Sequence, residues 1–172
     1  MHPAEIEAAL ESMVITIDTR EQDTPAFRGR VKAFPKWSRM KLDAGDYSAR
    51  FTLPGGRIYR LPVAIERKMD FTELANCYCQ QRRRFTAEFE RAKAAGVKLY
   101  LLVEGESWES AYSGDYRSRM DPKALVASLL AWLARYDCQV IFCQRRTTGK
   151  LIRDILYREG KEALTRMVEN EV

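Results

Sequence analysis

The sequence predicts an α/β fold with a mixed central sheet and helices on both of its faces. Three observations lead there. Short β-branched or apolar runs at residues 13–17, 63–65, 98–103 and 139–142 read as buried strands. Between and after the later runs stand longer stretches with apolar residues at helical spacing. An early Pro-Gly-Gly turn folds the chain back on itself, so the order is strands with a hairpin, then helix, strand, helix, strand, helix.

Glu5 to Ser12 reads as a short helix and Met13 to Ile17 as a β-branched strand ending at Asp18. Asp18-Thr19-Arg20-Glu21 opens a long, turn-rich connection through Pro25, Gly29 and Pro35. Arg39 to Leu42 is a candidate second strand. Tyr47 to Ile65 reads as a hairpin turning at Leu53-Pro54-Gly55-Gly56-Arg57. Pro62 cannot donate to a ladder, which places an edge segment or bulge before Val63. Phe71 to Ala95 reads as one helix, with a stripe of Phe71, Leu74, Tyr78, Phe85, Phe89 and Ala92, ended by Gly96. Lys98 to Val103 is a strand ending at Glu104. Asp121-Pro122 caps a helix through Leu133, Gln139 to Phe142 is a further strand, and Thr147 or Thr148 caps the last helix. No repeat or linker divides the 172 residues, so one domain over 1–172 is expected, its core at about 12–156.

Composition narrows the chemistry. A net charge of +5 fits a polyanionic partner. The only histidine is His2, so Ser-His triads, His-metal sites and His general bases are excluded. Cys77, Cys79, Cys138 and Cys143 show no zinc spacing and read as buried reduced thiols. No apolar run approaches the roughly 20 residues that span a bilayer, and the N-terminus lacks a signal-peptide pattern, so a cytoplasmic protein is expected. Gly149-Lys150 lacks the earlier glycine of a phosphate loop.

Carboxylates and a lysine are concentrated in Gly45-Asp46-Tyr47-Ser48 and Ile65-Glu66-Arg67-Lys68. The hairpin between these segments sets Asp46 opposite Ile65 or Glu66, where facing side chains lie roughly 4.5–5.5 Å apart. Glu66 and Lys68 share a strand face, and Arg67 points away from them. Two acidic oxygens and an ammonium make a site for a hard divalent cation such as Mg²⁺ and for phosphate. Such an ion neutralises phosphoryl oxygens and lowers the pKa of bound water, which is what cleaving a phosphodiester needs. Asp46 and Glu66 would hold the ion. Lys68, kept protonated by its acidic neighbours, would stabilise charge. Arg67 either braces a neighbouring carboxylate or reaches nucleic-acid backbone. Arg82, with Arg83 and Arg84, either snorkels on a solvated basic face or contacts phosphate.

The order Ile17-Asp18-Thr19-Arg20-Glu21, Leu42-Asp43-Ala44-Gly45-Asp46-Tyr47, Val63-Ala64-Ile65-Glu66-Arg67-Lys68 resembles the XPF-type nuclease domain, a branch of the restriction-endonuclease-like PD-(D/E)xK superfamily. The likeness runs from about Ser12 to Leu156 and implies a metal-dependent DNA endonuclease acting on flaps, forks or junctions, as in DNA repair and recombination. It implies Asp46 and Glu66 as ligands of Mg²⁺ (or Mn²⁺), Asp18 as an accessory ligand, Lys68 as catalytic and Arg67 as the motif arginine. Arg20, Arg67, Arg82, Arg83 and Arg84 are the expected nucleic-acid contacts. Where the family carries an aspartate four residues after the lysine, this chain has Thr72, with Asp70 and Glu73 nearby. Relatives often append a helicase region or tandem helix-hairpin-helix module. A stand-alone form implies a bacterial or phage-type protein, working as a homodimer or with a partner subunit. A catalytically silent DNA-binding scaffold and an RNA-directed nuclease are the alternative readings.

Overall fold

The computed structural model describes residues 2–169. Its elements are α1 (Pro3–Glu11), β1 (Val14–Ile17), α2 (Pro25–Val31), β2 (Trp37–Arg39), β3 (Tyr47–Thr52), β4 (Ile58–Arg60), β5 (Val63–Lys68), α3 (Phe71–Cys79), α4 (Arg82–Ala94), β6 (Lys98–Glu104), α5 (Trp108–Ser113), α6 (Pro122–Tyr136), β7 (Gln139–Cys143) and α7 (Thr148–Glu169). The strands form a mixed seven-stranded sheet in the order β2-β1-β3-β5-β6-β7, with β4 beside β3. The chain divides into two compact units, one of residues 1–42, 46–63 and 149–172, the other of residues 43–45 and 64–148. No helix among the described residues is long and apolar enough to cross a membrane.

In the first unit β1 pairs parallel with β2 and antiparallel with β3. The expected strand over residues 39–42 lies earlier, at Trp37–Arg39. The expected turn-rich connection contains a helix, α2, because Thr24 caps it and Pro25 starts it, overriding Gly29. The hairpin is β3 with β4, in the register Arg50↔Arg60, Phe51↔Tyr59 and Thr52↔Ile58. It turns through Gly55 and Gly56, both at positive φ, as the sequence predicts. Its returning strand is interrupted at Leu61-Pro62, where Pro62 is expected to leave an edge segment or bulge, so β5 is a separate strand.

Helix α7 packs this unit through two glycines. A Cβ at Gly149 would stand 2.4 Å from the Arg30 carbonyl oxygen, and one at Gly160 would stand 2.2 Å from the Phe51 ring. Asp18 ties the end of β1 to the chain at Arg20 and Leu42. Its carboxylate is fully buried and accepts from the Arg20 amide at 2.8 Å, Arg20 Nε at 2.6 Å and the Leu42 amide at 2.7 Å. Burial pushes this carboxyl up, but the hydrogen bonds from the Arg20 side chain and the Leu42 and Arg20 amides outweigh it, and the net shift is downward.

In the second unit β6 pairs parallel with β7. An aromatic cluster fills its core, with Phe85 stacked on Trp132 at 5.4 Å and Tyr78 edge-on to Trp132 at 5.1 Å. The single helix expected over residues 71–95 is two helices, α3 and α4, broken at Gln80-Gln81. The break resets the helical phase, so Arg82 leaves the apolar stripe and opens α4 in solvent with Arg83 and Arg84. The short helix α5, capped by Ser107, has no counterpart in the sequence prediction. All four cysteines are free thiols. Cys77 and Cys138 are buried and Cys143 is half-buried, but Cys79 is exposed, against the expectation of burial.

Stability should respond at two of these positions. Gly160→Ala should destabilise by about 1–3 kcal/mol through overpacking, although alanine is the better helix former by about 1 kcal/mol; an unchanged denaturant midpoint would show that Phe51 yields freely. Asp18→Asn should cost about 2 kcal/mol at pH 7, where charged acceptors are worth about 1.5–3 kcal/mol. Because the folded pKa is the lower one, that contribution is present above the unfolded value, near 3.9, and disappears as pH falls through the folded one. The gap between variant and wild type should therefore persist at neutral pH and narrow only as pH falls below the unfolded value in urea titrations.

Candidate functional site

β5 carries the motif residues because it is buried along most of its length and alternates its side chains between two sides. Glu66 and Lys68 point together, as their spacing requires. Lys68 Nζ lies 2.5 Å from Glu66 Oε1 and 3.9 Å from Glu73 Oε1, and 5.3 Å from the centre of the Phe85 ring. Both are nearly sealed from solvent, Glu66 at 5% and Lys68 at 7% exposure. Burial pushes the Glu66 carboxyl above the usual carboxylate range. The Lys68 ammonium pulls it back, and the carboxylates of Glu88 and Glu73 push it further up.

Glu88 is a member of this cluster that the sequence reading missed. It is buried on α4, and its Oε1 accepts from the Gly45 amide at 2.9 Å. Its signal was available, since it stands three residues after Phe85 inside the apolar stripe, where an acid needs a reason. Gly45 itself has φ +74, and a Cβ there would stand 2.9 Å from the Ala64 Cβ and 3.1 Å from the Ile65 carbonyl oxygen. The glycine thus lets its backbone lie against β5 at the residues just before Glu66.

Arg67 takes the opposite side, as parity predicts. Its Nη1 donates to Glu104 Oε2 at 3.2 Å, while Arg145 Nε lies 3.5 Å from the same oxygen and Thr148 Oγ1 donates to Oε1 at 2.8 Å. Glu104, at the end of β6, is buried, so of the two roles open to Arg67 the bracing one is what the structure displays.

In the first unit, Asp46 is half-buried, and its carbonyl accepts from the Asp18 amide at 2.8 Å. The Asp18 carboxylate is committed to Arg20 and Leu42. Arg20 is half-exposed and paired with it. Arg82, Arg83 and Arg84 stand exposed at the start of α4, with no ion pair among the described residues. Among the described residues no group of three or more His, Cys, Asp or Glu side chains is gathered so as to hold an ion. The cluster around Lys68 sets one ammonium against the carboxylates of Glu66 and Glu73, and that ammonium can meet a phosphate oxygen.

No curated protein matches this sequence. Among solved structures it is similar to XPF from Aeropyrum pernix, with a TM-score of 0.59 and 19% identity over 83% of this chain and 64% of that one. It is likewise similar to XPF from Aeropyrum pernix in complex with DNA, with a TM-score of 0.60 and 19% identity over 87% of this chain and 66% of that one. The chain therefore spans just under two thirds of the length of those proteins, and at this identity the likeness is one of fold. The model of the ERCC4 domain matches residues 17–154, a range that takes in Asp18, Gly45-Asp46 and Glu66-Arg67-Lys68, and on that match the chain belongs to the ERCC4 domain family.

Proposed function

We propose that this chain is a Mg²⁺- or Mn²⁺-dependent DNA endonuclease selective for branched DNA, with Asp46 and Glu66 as metal ligands and Lys68 as the phosphate-binding cation. The observation that carries this reading is the buried ammonium of Lys68 held by Glu66 within a cluster that also includes Glu73 and Glu88. Glu66 and Glu88 are buried and Glu73 is partly exposed, so three acidic side chains surround one ammonium. The donors are hard oxygens, the type that Mg²⁺ and Mn²⁺ take, so the residues fit the ion. When bound, such an ion supplies charge neutralisation at the phosphoryl oxygens and a water of lowered pKa.

The remaining roles fall to the chain's own groups. Lys68, oriented by Glu66 and the Phe85 ring, donates to a non-bridging phosphate oxygen and stabilises the charge that builds on it. Glu88 holds the Gly45 backbone against its own helix. Asp18, whose acceptors serve Arg20 and Leu42, positions the Asp46 backbone and is an accessory to the ligand pair. Arg67 keeps β5 braced to Glu104. Arg82, Arg83 and Arg84 supply phosphate contacts that carry no sequence information, which fits selection of shape over sequence. A homodimer or a partner subunit belongs to the same proposal.

The deciding assay incubates labelled linear, flap, fork and four-way DNA with the protein, with Mg²⁺, Mn²⁺ or chelator. Cleavage should require metal and fall at least about 100-fold in Asp46→Asn and Lys68→Ala, the scale of lost electrostatic stabilisation. DNA binding should persist in both variants and weaken as salt rises. Binding with no cutting of any substrate would favour the silent scaffold, and cleavage of RNA alone the RNA-directed enzyme. Glu88→Gln keeps an acceptor for Gly45 but removes a charge. It should leave the melting temperature nearly unchanged and raise the Mg²⁺ concentration for half-maximal cleavage several-fold; an unaltered metal titration would remove Glu88 from the site.

A further inference from the structure

A groove of about 460 Å³ lies within the second unit between α3 and the segment 115–120 that joins α5 to α6. Thr72 and Asn76 line it from one face of α3, four residues apart, and Gln80 stands next to them at the helix end. Arg117, Ser118 and Arg119 line it from the segment. The wall is preformed. Tyr116 sits edge-on to Phe71 at 5.6 Å, its hydroxyl donates to the Met120 carbonyl at 2.8 Å, and the Met120 amide donates to Ser118 Oγ at 3.1 Å.

The lining holds two guanidinium groups, two carboxamides, two hydroxyls and no carboxylate. Asp115 opens the segment and Asp121 follows it in sequence, yet neither pairs with Arg117 or Arg119 among the described residues. An anion with hydrogen-bonding edges fits such a lining. A carboxamide both donates and accepts, so it can meet the edge of any base. The groove is concave and of small-ligand size, and a duplex keeps its base edges stacked and paired. An unpaired nucleotide can lie in it and offer the Watson–Crick edge that a duplex keeps paired.

The location is also telling. α3 begins three residues after Lys68 and places Glu73 3.9 Å from Lys68 Nζ, while Thr72, the preceding residue, faces the groove. Groove and lysine thus flank one helix, whose diameter is about 10 Å.

We infer that this groove seats an unpaired nucleotide of the substrate strand, its phosphate on Arg117 and Arg119 and its base edge on Asn76 and Gln80. The binding claim stands on the groove; only its link to strand cleavage rests on the nuclease reading.

The test uses the full chain with chelator, so that no cutting intervenes, and compares fluorescent oligothymidylate with a blunt duplex of equal charge. Two variants are measured, Arg117→Ala with Arg119→Ala, and Thr72→Asp. The arginines are exposed, and an acid in the first turn of a helix favours that helix, so neither variant threatens folding. Both should weaken oligothymidylate binding about 5- to 10-fold and leave duplex binding within about two-fold. The double variant should also lower the salt slope on the single strand by about 0.7 per lost phosphate contact. Equal losses on both ligands, or no loss on the single strand, would overturn the groove. If the variants lose single-strand binding while wild type cuts nothing with metal, the nuclease reading fails and the groove stands. If wild type cuts and the variants bind as wild type does, the reverse holds.

Discussion

The buried ammonium of Lys68 is the constraint around which the site is arranged. It sits against Glu66, within reach of Glu73 and over the Phe85 ring, at low exposure. Taking two charges out of water costs more than a single contact returns, and removing one partner of such a pair costs about 3–5 kcal/mol. The protein therefore surrounds the pair with further groups and does not leave it alone. Those groups overshoot, because Glu88 and Glu73 both raise the Glu66 carboxyl. The same Glu88 anchors the Gly45 amide, where a positive φ and a 2.9 Å approach to Ala64 leave no room for a side chain. The glycine before Asp46 and the acid on α4 are thus two ends of one requirement.

Much of this was legible because it is local. Parity along β5 placed Glu66 with Lys68 and Arg67 opposite, and a strand cannot do otherwise. The Asp121-Pro122 cap, the positive φ of Gly96 and the turn at Gly55-Gly56 arise from residue chemistry alone. What stayed hidden depended on phase or on partners distant in sequence. Reading α3 and α4 as one helix kept Arg82 in register with Tyr78, four residues earlier, and only the break at Gln80-Gln81 turns it to solvent. α2 is seven residues long with a glycine inside it, too short for its period to outweigh that glycine on paper. Glu104 holds Arg67, Arg145 and Thr148 from positions 37 to 44 residues apart, which no spacing rule reaches.

Family membership and low identity are compatible for a physical reason. A fold can persist while most of the core's side chains are exchanged, provided that volume and patterning are kept. In this chain the core includes a large aromatic cluster under α4 and α6, with Phe85, Phe89, Trp132 and Tyr136 in mutual contact. That cluster gives α4 a fixed platform, and with it the position of Glu88.

Helix α7 completes the first unit from the far end of the chain, through Gly149 against Arg30 and Gly160 against Phe51. During translation most of the second unit, residues 64–148, emerges from the ribosome ahead of that helix. β1 and β3 then wait with the Phe51 side uncovered while later-made residues already pack around Trp132. Nascent chains in that interval present unfinished apolar surface, the condition under which holding chaperones bind and aggregation competes with folding.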